Sequence, residues 1–306
     1  MDGILKIHKP KGLTSHDVVG RVRRLIGQKE VGHAGTLDPM AEGLMILLLG
    51  QATKISDYIL NGDKAYRARV RLGVSTDTWD MDGEVLEEKA LSFSAEELQS
   101  AALKLQGEFE WEVPAFSAIK KKGQKLYEKA RKGEEFELPK RIMKFRTVEF
   151  IEATENEVEV QLRCSKGSYI RSWGRELGKL LEAPSTLSSL VRNFSEPFSL
   201  EGAISLDELE NQENLESHSA FTPLNQCLGH FPALSLKGRD LTLMNNGQVP
   251  NALVRRLLPD QKQCNRLEKT EIMRVFDAND MRLVALLELR PRNPVRVRRI
   301  FKSLDA

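Results

Sequence analysis

The sequence predicts a protein of two domains in which helices and strands are mixed along the chain. Its 306 residues correspond to two domains of about 150 residues each. A strand pattern of period two at 64–73 lies between amphipathic helical patterns near 15–26 and 94–106. An acidic stretch ends the first part, so the predicted domains are 1–225 and 226–306, the second one small and rich in strands.

The N-terminal half begins with a strand and a capped helix. ILKIHKP at 4–10 predicts the strand. Thr14 is an N-cap residue and Asp17 lies at the third helical position, so a capping box starts the helix that follows. LMILLLG then predicts a buried strand, and QATKISDYIL predicts a helix.

The alternating strand KAYRARVRLG has two unlike faces. One face carries Tyr66, Ala68, Val70 and Leu72. The other face carries Arg67, Arg69 and Arg71. We expect the first face to be buried and the second to be wet and cationic.

A basic insertion interrupts the second half of the first domain. It extends from about 116 to 146 and has a helical middle. After it, RTVEFIEATENEVEVQLRCS predicts a β-hairpin and KGSYIRSWGRELGKLL predicts a helix. The acidic stretch at about 206–219 is the predicted linker.

Charge is segregated along the chain although the net charge is only +2. Basic residues are concentrated at 5–29, 117–146 and 290–302, whereas 201–216 contains acids and no base. A single basic run is typical of a solvated face. Three runs beside a separate acidic segment favour a phosphate-rich partner that is contacted at several places.

Composition argues against a membrane or secreted protein. No apolar run approaches the ~20 residues that span a bilayer, and the N-terminus lacks the apolar segment of a signal peptide. The three cysteines are odd in number and widely spaced, which suits neither a disulfide framework nor a zinc site. We expect a cytoplasmic protein.

The loop GHAGTLDPMAEG at 32–43 places one carboxylate among turn-forming residues. Asp38 precedes Pro39, which biases its backbone toward extended geometry. The three glycines of the loop permit tight bends. Asp38 is therefore either a side chain presented to a ligand or the cap of a short helix that begins at Pro39.

Several enzyme classes fail on the number of residues that they need. A glycosidase needs two carboxylates in separate roles, and the nearest second acid, Glu42, lies in the same loop. A zinc hydrolase needs three protein ligands, whereas His33 and Asp38 supply two at best. The sequence contains no Walker A, Rossmann or nucleophile-elbow motif. An enzyme that uses one carboxylate as nucleophile or base, without a cofactor or metal, remains.

Five stretches carry a resemblance to a known family: GILKIHKPKGLTSHDVV, VGHAGTLDPMAEGLMILLLGQATKIS, KAYRARVRLGVSTDTWDMDGE, FSAIKKKGQKLYEKARKGE and CSKGSYIRSWGRELG. On these stretches the chain resembles the TruB family, the bacterial tRNA pseudouridine-55 synthases, over nearly its whole length. One departure is VPAFSA at 113–118, where the family commonly has two prolines before Phe-Ser-Ala. We expect it to alter the insertion slightly and to leave the chemistry unchanged.

The resemblance implies an α+β fold: a mixed, mainly antiparallel sheet with flanking helices, followed by a PUA-like RNA-binding domain. It implies an isomerase that converts uridine at position 55, in the T-arm of tRNA, to pseudouridine without a cofactor. The implied partner is tRNA alone, bound by a monomer that has no obligate protein partner and no membrane association. The insertion would be the family's thumb-like segment.

The resemblance also assigns the residues of the reaction. Asp38 matches the essential aspartate, whose carboxylate would attack C1′, add to C6 or remove a proton from C2′. Arg171 matches the arginine that pairs with it, and we expect a bidentate pair. Tyr66 matches the tyrosine that stacks on the target base and assists removal of the C5 proton.

The remaining implied contacts are with RNA. His33 matches a histidine associated with the space that the flipped base leaves. Lys64 is predicted to contact a phosphate, and Leu190 to line the pocket. Lys120 and Arg141, within the basic insertion, are predicted to bind RNA.

Three other hypotheses stay open at this point. The first is an RNA chaperone that folds tRNA and whose isomerase activity is secondary or lost. The second is an RNA-guided pseudouridine synthase that works inside a multiprotein particle. The third is a structural protein with no RNA partner, for which a failure to bind tRNA at any salt concentration would be the sign.

Overall fold

A computed structural model describes residues 1–117 and 136–302. Between these ranges it describes the backbone of 120–121 and 124–125. No helix in the described part of the chain is long and apolar enough to cross a membrane.

The chain forms two compact units. The larger unit consists of Lys6–Leu47 and Ser56–Leu215. The smaller unit consists of Met1–Leu5, Leu48–Ile55 and Glu216–Ala306. The division after Leu215 falls inside the predicted acidic linker, and the domain boundary after residue 225 stays a prediction.

The main sheet is mixed and mainly antiparallel. Its strands, in spatial order, are β14 (Ile204–Ser205), β1 (Gly3–Lys9), β3 (Glu42–Leu49), β12 (Ser185–Ser195), β4 (Lys64–Leu72), β11 (Glu157–Cys164), β10 (Lys140–Ala153) and β7 (Gly107–Glu112). The β1–β14 and β3–β12 pairs are parallel, whereas the pairs from β12 to β7 are antiparallel.

Shorter strands and helices complete this part of the chain. The short strands are β2 (Val31–His33), β5 (Val74–Thr76), β6 (Val85–Glu88), β8 (Lys120–Lys121), β9 (Gln124–Lys125), β13 (Phe198–Ser199) and β15 (Phe221–Pro223). The helices are α1 (Ser15–Leu25), α2 (Ser56–Leu60), α3 (Ala95–Lys104), α4 (Ile170–Leu180) and α5 (Leu206–Glu210). A 3₁₀ helix, Gly50–Ile55, precedes α2, so the predicted helix there is divided in two.

Helix α1 begins as the sequence predicts. The Thr14 hydroxyl accepts a hydrogen bond from the Asp17 N–H, and the Asp17 carboxylate accepts from the Thr14 N–H. This reciprocal pair satisfies two of the donors that a helix start leaves free. The helix therefore has a fixed start, and Val18 and Val22 enter the core.

Strand β4 has the two unlike faces that the sequence predicts. Its inner side carries the buried Ala68, Val70 and Leu72, with Tyr66 half-buried. Its outer side carries the exposed Arg67, Arg69 and Arg71. Arg67 and Arg69 both pair with Glu159, whose side chain is only 3% exposed. The outer face is wet and cationic as expected, and the neighbouring strand β11 adds a buried carboxylate beside two of its arginines.

The predicted hairpin is present, but its first strand is longer than expected. Strand β10 begins at Lys140 and pairs with both β7 and β11. The last residues of the predicted insertion, from 140 to 146, therefore belong to the main sheet. The predicted helical middle of the insertion lies outside the described residues.

The acidic stretch is structured locally. Ser205 caps α5 in a second capping box with Glu208. The Asp207 carboxylate lies 2.9 Å from Arg21 of α1, although the Asp207 side chain is 89% exposed. Such an exposed pair contributes little to stability.

The smaller unit contains a four-stranded sheet and three helices. The strands, in spatial order, are β16 (Ala233–Leu236), β17 (Glu271–Asp277), β18 (Leu283–Leu289) and β19 (Arg296–Ile300). The helices are α6 (Gly238–Asn245), α7 (Asn251–Arg256) and α8 (Leu258–Leu267). Leu253, Val275 and Leu287 are central to its core. The prediction of a strand-rich domain missed these helices, and its PUA-like character stays a prediction.

Candidate active site

The loop that carries Asp38 is fixed at its centre by Ser15. The Ser15 hydroxyl accepts a hydrogen bond from the Leu37 N–H at 2.9 Å and donates to the Leu37 carbonyl at 3.0 Å. Because Ser15 is the first residue of α1 and is buried, the residue before Asp38 is fastened to the start of a helix.

The part of the loop after Asp38 is held by a buried ammonium group. Lys9 is fully buried at the end of β1, and its Nζ donates to the carbonyls of Ala41 at 2.6 Å and Pro39 at 3.3 Å. Burial lowers the Lys9 pKa to about 8, although the carboxylates of Asp38 and Glu42 oppose that shift. Burial of an ammonium group is unfavourable unless it is hydrogen-bonded, and the bonds of Lys9 to Ala41 and Pro39 hold the Asp38 loop in position.

A second buried cation holds the part of the loop before Asp38 and the start of β3. Arg192 of β12 is 1% exposed, and its guanidinium donates to the carbonyls of Gly35 at 3.0 Å and Leu44 at 2.7 Å. Gly43 has φ +99°, and a Cβ there would lie 2.4 Å from the Arg192 carbonyl oxygen. Only glycine permits this close parallel pairing of β3 with β12.

Asp38 itself does not cap a helix. The residues after it form a turn in which the Ala41 N–H donates to the Asp38 carbonyl, and strand β3 begins at Glu42. The Asp38 side chain is 34% exposed, and its Oδ2 lies 2.9 Å from Nε of Arg171. Of the two alternatives left open by the sequence, the structure matches the presented carboxylate.

Arg171 is buried on the first turn of α4, with 4% of its side chain exposed. Its Nη1 donates to the Thr78 carbonyl and its Nη2 to the Phe116 carbonyl, each at 2.9 Å. The Nε–H does not point along the line to Asp38, so the contact is an ion pair without good hydrogen-bond geometry. The expected bidentate pair is therefore wrong, because two backbone carbonyls occupy the terminal nitrogens.

A second aspartate beside Arg171 was missed by the sequence analysis. Asp80 Oδ2 lies 3.4 Å from Arg171 Nη1, and the Asp80 side chain is 6% exposed. Burial raises the Asp80 pKa, while the Thr78 hydroxyl and Arg171 oppose the shift. The only sequence signal was the acid-rich loop STDTWDMDGE, which resembles many surface turns.

Tyr66 lies on the inner face of β4, near the Arg192 guanidinium. Burial raises the Tyr66 pKa, and the positive charge of Arg192 opposes the rise. A phenol with a raised pKa is protonated at neutral pH, which is compatible with stacking and hydrogen bonding, and both expected roles of Tyr66 stay predictions.

A cleft of about 800 Å³ opens beside these side chains. The predicted site residues that line it are Asp38, Lys64, Tyr66, Arg141, Arg171 and Leu190. Its other walls include Ser117, Tyr169 and the Ser165–Ser168 turn. A cleft of this volume admits a nucleotide-sized ligand.

The Lys64 ammonium group binds backbone carbonyls in this structure. It is 6% exposed, and its Nζ donates to the carbonyls of Leu60 at 2.7 Å and Gly62 at 2.6 Å. Burial lowers its pKa to about 8. These contacts fix the turn before β4, and the predicted phosphate contact stays a prediction.

One predicted RNA contact does not line the cleft, and another falls outside the described residues. His33 ends β2 and is half-buried beside His16, with ring centroids 6.2 Å apart, and it is not among the described residues that line the cleft. Its Nδ1 is buried without a hydrogen-bond partner in the described structure, and burial lowers its pKa. The side chain of Lys120 lies outside the described residues.

The described ranges contain no cluster of three or more His, Cys, Asp or Glu side chains that could hold a metal ion. The polar groups at the cleft include one partly exposed carboxylate, a buried guanidinium and a phenol. This set can orient a planar base and present one oxygen to it.

Comparison with known proteins identifies the family of this chain. Residues 23–170 match the model of the TruB family pseudouridylate synthase N-terminal domain. The chain is 42% identical over 307 residues to a tRNA pseudouridine synthase B of Bdellovibrio bacteriovorus, covering 98% of this chain and 97% of that protein. It is 37% identical over 304 residues to one of Bacillus cereus, covering 96% and 94%.

Solved structures show the same fold. A chain from an H/ACA RNP bound to a substrate RNA containing 2′-deoxyuridine superposes with a TM-score of 0.69 at 19% identity, covering 99% of this chain and 86% of that one. A chain from a Cbf5–Nop10–Gar1 complex gives a TM-score of 0.69 at 20% identity, with the same coverage. The predicted α+β fold is confirmed.

The fold and the family relationship define an isomerase that makes pseudouridine. The chain belongs to the TruB family of pseudouridylate synthases, as its stretches of resemblance indicate.

Proposed function

We propose that this protein isomerises the uridine at position 55, in the T-arm of tRNA, to pseudouridine. Relatives at 37–42% identity over nearly the whole chain are named tRNA pseudouridine synthase B, which supports tRNA as the substrate. We place the enzyme in the cytoplasm, where tRNA is abundant, and expect it to act as a monomer.

The reaction balances without a cofactor. The N1–C1′ bond of uridine breaks, the base turns, and a C5–C1′ bond forms. The C5 proton leaves and N1 takes up a proton, so no electrons are gained or lost. The site must only extrude the base, stabilise its detached state and place it for reattachment.

Asp38 is proposed as the catalytic residue, which acts on the ribose or the base. Its carboxylate is 34% exposed at the cleft, whereas its partner Arg171 is 4% exposed. Because the cation is buried and held by two carbonyls, the carboxylate is oriented from behind and its other oxygen remains available. This Asp38–Arg171 arrangement at the wall of a nucleotide-sized cleft is the observation that carries the proposal.

Tyr66 and Leu190 are proposed to bind the flipped base. Both line the cleft and lie on neighbouring strands, where Leu190 pairs with Ala68 and Arg192 pairs with Tyr66. A tyrosine ring that stacks on a base contributes about 1–3 kcal/mol. Arg141, at the same cleft, is proposed to contact the RNA backbone, whose anionic phosphates attract such a cation.

The experiment is guide-free modification of defined transcripts. Three RNAs are incubated with the purified protein: an unmodified whole tRNA, its isolated T-arm stem-loop, and the whole tRNA with uridine 55 changed to cytidine. Pseudouridine is mapped by primer extension after carbodiimide treatment. We expect a stop at position 55 in the first two RNAs and no stop in the third.

Other outcomes lead to the alternatives. Modification at a different uridine would overturn the assigned position. Binding without modification of any transcript would support an RNA chaperone or a synthase that needs a guide RNA. Binding is measured at two salt concentrations, because phosphate contacts weaken as salt rises.

A further inference from the structure

Arg171 depends on two separate pieces of backbone. One is the loop 76–80, which provides the Thr78 carbonyl, and the other is the segment 112–117, which provides the Phe116 carbonyl. The second segment leads directly into the basic insertion. Each acceptor lies 2.9 Å from a terminal nitrogen of Arg171, so a shift of either segment moves the guanidinium.

Arg175 contacts both of these segments. It lies one turn after Arg171 on the same face of α4. Its guanidinium carbon lies 4.2 Å from the centre of the Trp79 ring. Its Nη1 lies 2.5 Å from Glu112 Oε2, with the two side chains 30% and 32% exposed.

Within the loop 76–80, Trp79 has a strained backbone, whereas the Thr76 and Thr78 hydroxyls donate to the Asp80 carbonyl and carboxylate. Trp79 has φ 62°, a left-handed conformation that is costly for a bulky side chain. Its backbone makes two long hydrogen bonds in the described structure. The Trp79 N–H donates to the Thr76 carbonyl at 3.4 Å, and the Trp79 carbonyl accepts from the Leu187 N–H at 3.2 Å. A guanidinium stacked on the indole adds a cation–π contact that holds the ring in place.

The segment 112–117 is held at its start by two hydrogen bonds. The Val113 N–H donates to the Pro139 carbonyl at 3.0 Å. The Glu112 carbonyl accepts from the Ser172 hydroxyl at 2.7 Å. Arg175 lowers the Glu112 pKa, as expected for an ion pair between them.

We propose that Arg175 is a positioning residue of the active site, which fastens the loop 76–80 and the segment 112–117 to α4 so that Arg171 keeps its place behind Asp38. This inference rests on the proposed function, which makes the Asp38–Arg171 contact catalytic. Trp79 and Glu112 are the two contacts through which Arg175 acts.

The test compares three variants. Arg175→Met removes the charge and keeps an unbranched chain over Trp79. Arg175→Lys keeps a cation that reaches both partners. Arg163→Met is the matched control, because Arg163 also lies over a ring, Phe194 at 5.5 Å, and beside a carboxylate, Asp63 at 3.4 Å. Arg163 contacts neither segment that holds Arg171.

The measured quantity is the single-turnover rate at saturating tRNA, beside the dissociation constant for tRNA and the melting temperature. We expect Arg175→Met to lower the rate about tenfold, the size of effect typical of residues that orient a catalytic group. Arg175→Lys restores most of the rate, Arg163→Met matches the wild type, and tRNA binding is unchanged in all three.

Each contrary result has a distinct meaning. A wild-type rate for Arg175→Met, or a loss that appears only in tRNA binding, overturns the proposal. So does an equal loss of rate in Arg163→Met. If the wild type binds tRNA but does not modify it, the proposed function fails, and hydrogen exchange of residues 76–80 and 112–117 then decides about Arg175. Faster exchange of both segments in Arg175→Met supports the fastening, and unchanged exchange overturns it.

Discussion

The ion pairs on the outer face of β4 and the ion pair at the cleft bury opposite partners. On the outer face Glu159 is buried and the arginines that pair with it, Arg67 and Arg69, are half-exposed. At the cleft the arginine, Arg171, is buried and its partner Asp38 faces the open space. The partner left at the surface is the one available for chemistry, so the arrangement at the cleft presents a carboxylate.

The two arrangements also differ in what supports the buried charge. Arg171 is held by two backbone carbonyls and a second carboxylate, that of Asp80. Glu159 is held by two guanidinium groups that reach out to water. Because a buried charge is costly unless it is paired and hydrogen-bonded, the first arrangement fixes a position, whereas the second joins two strands. Variants in the two arrangements should therefore affect different properties.

The largest effect short of removing Asp38 is expected at Arg171. Arg171→Lys keeps the charge, but an ammonium group cannot reach Asp38 and both carbonyls together. We expect the single-turnover rate to fall about a hundredfold with tRNA affinity unchanged. Stopped reactions at saturating tRNA measure this, and a rate within a few-fold of the wild type would show that the fork geometry is unimportant.

A smaller effect is expected at Asp80. Asp80→Asn keeps the shape and removes the charge beside Arg171, so we expect a fall of about tenfold in rate. Because burial raises the Asp80 pKa, the wild-type carboxylate gains a proton, and loses its hold on Arg171, at a higher pH than an ordinary aspartate. The wild-type rate should therefore decline on the acidic side.

The pH profile isolates this contribution. The rates of the wild type and Asp80→Asn are compared over about pH 5 to 8. The variant has no charge to lose at this position, so its rate should decline less than that of the wild type as the pH falls. Parallel profiles would assign the acidic decline to another group.

The outer face should affect stability and leave the rate unchanged. Glu159→Gln places a neutral amide between Arg67 and Arg69, and we expect a loss of about 1–3 kcal/mol in the free energy of unfolding. Denaturant unfolding measures the loss, and the single-turnover rate of the folded variant serves as its control. A large fall in rate at full folding would mean that the outer face and the cleft are coupled.

The smallest effect is expected at Arg71, the exposed third arginine of the outer face. Arg71→Gln should change the free energy of unfolding by less than about 0.5 kcal/mol and leave the rate unchanged. Thermal unfolding and the single-turnover assay check both. A larger destabilisation would contradict the view that Glu159, rather than the row of arginines, holds this face together.

The local parts of the molecule could be predicted from the sequence. The Thr14–Asp17 capping box, the alternation along β4 and the turn at Asp38 depend on residues close together in the chain. The sequence also placed Tyr66 and Arg171 beside Asp38, through resemblance to a family. Each of these features depends either on residues that are close together in the sequence or on a motif of the family.

The groups that hold the site were not predicted, because their partners are distant in sequence. Arg192 bonds to Gly35 across 157 positions, and Arg171 bonds to Thr78 across 93. No local pattern marks an arginine whose acceptors are backbone carbonyls elsewhere in the fold. The same reason explains why the ion pair of Arg67 with Glu159 was not predicted, since Glu159 comes from a different strand.

The central claim is that Asp38 performs the isomerisation, and tritium release tests it most directly. Unmodified tRNA transcript carrying 5-tritiated uridine is incubated with the wild type and with Asp38→Asn, after both are shown to bind tRNA equally. The wild type should release about one equivalent of tritium per tRNA, since bond formation at C5 expels that hydrogen, while Asp38→Asn should be slower by at least about a thousandfold. Release by Asp38→Asn at the wild-type rate would contradict the account.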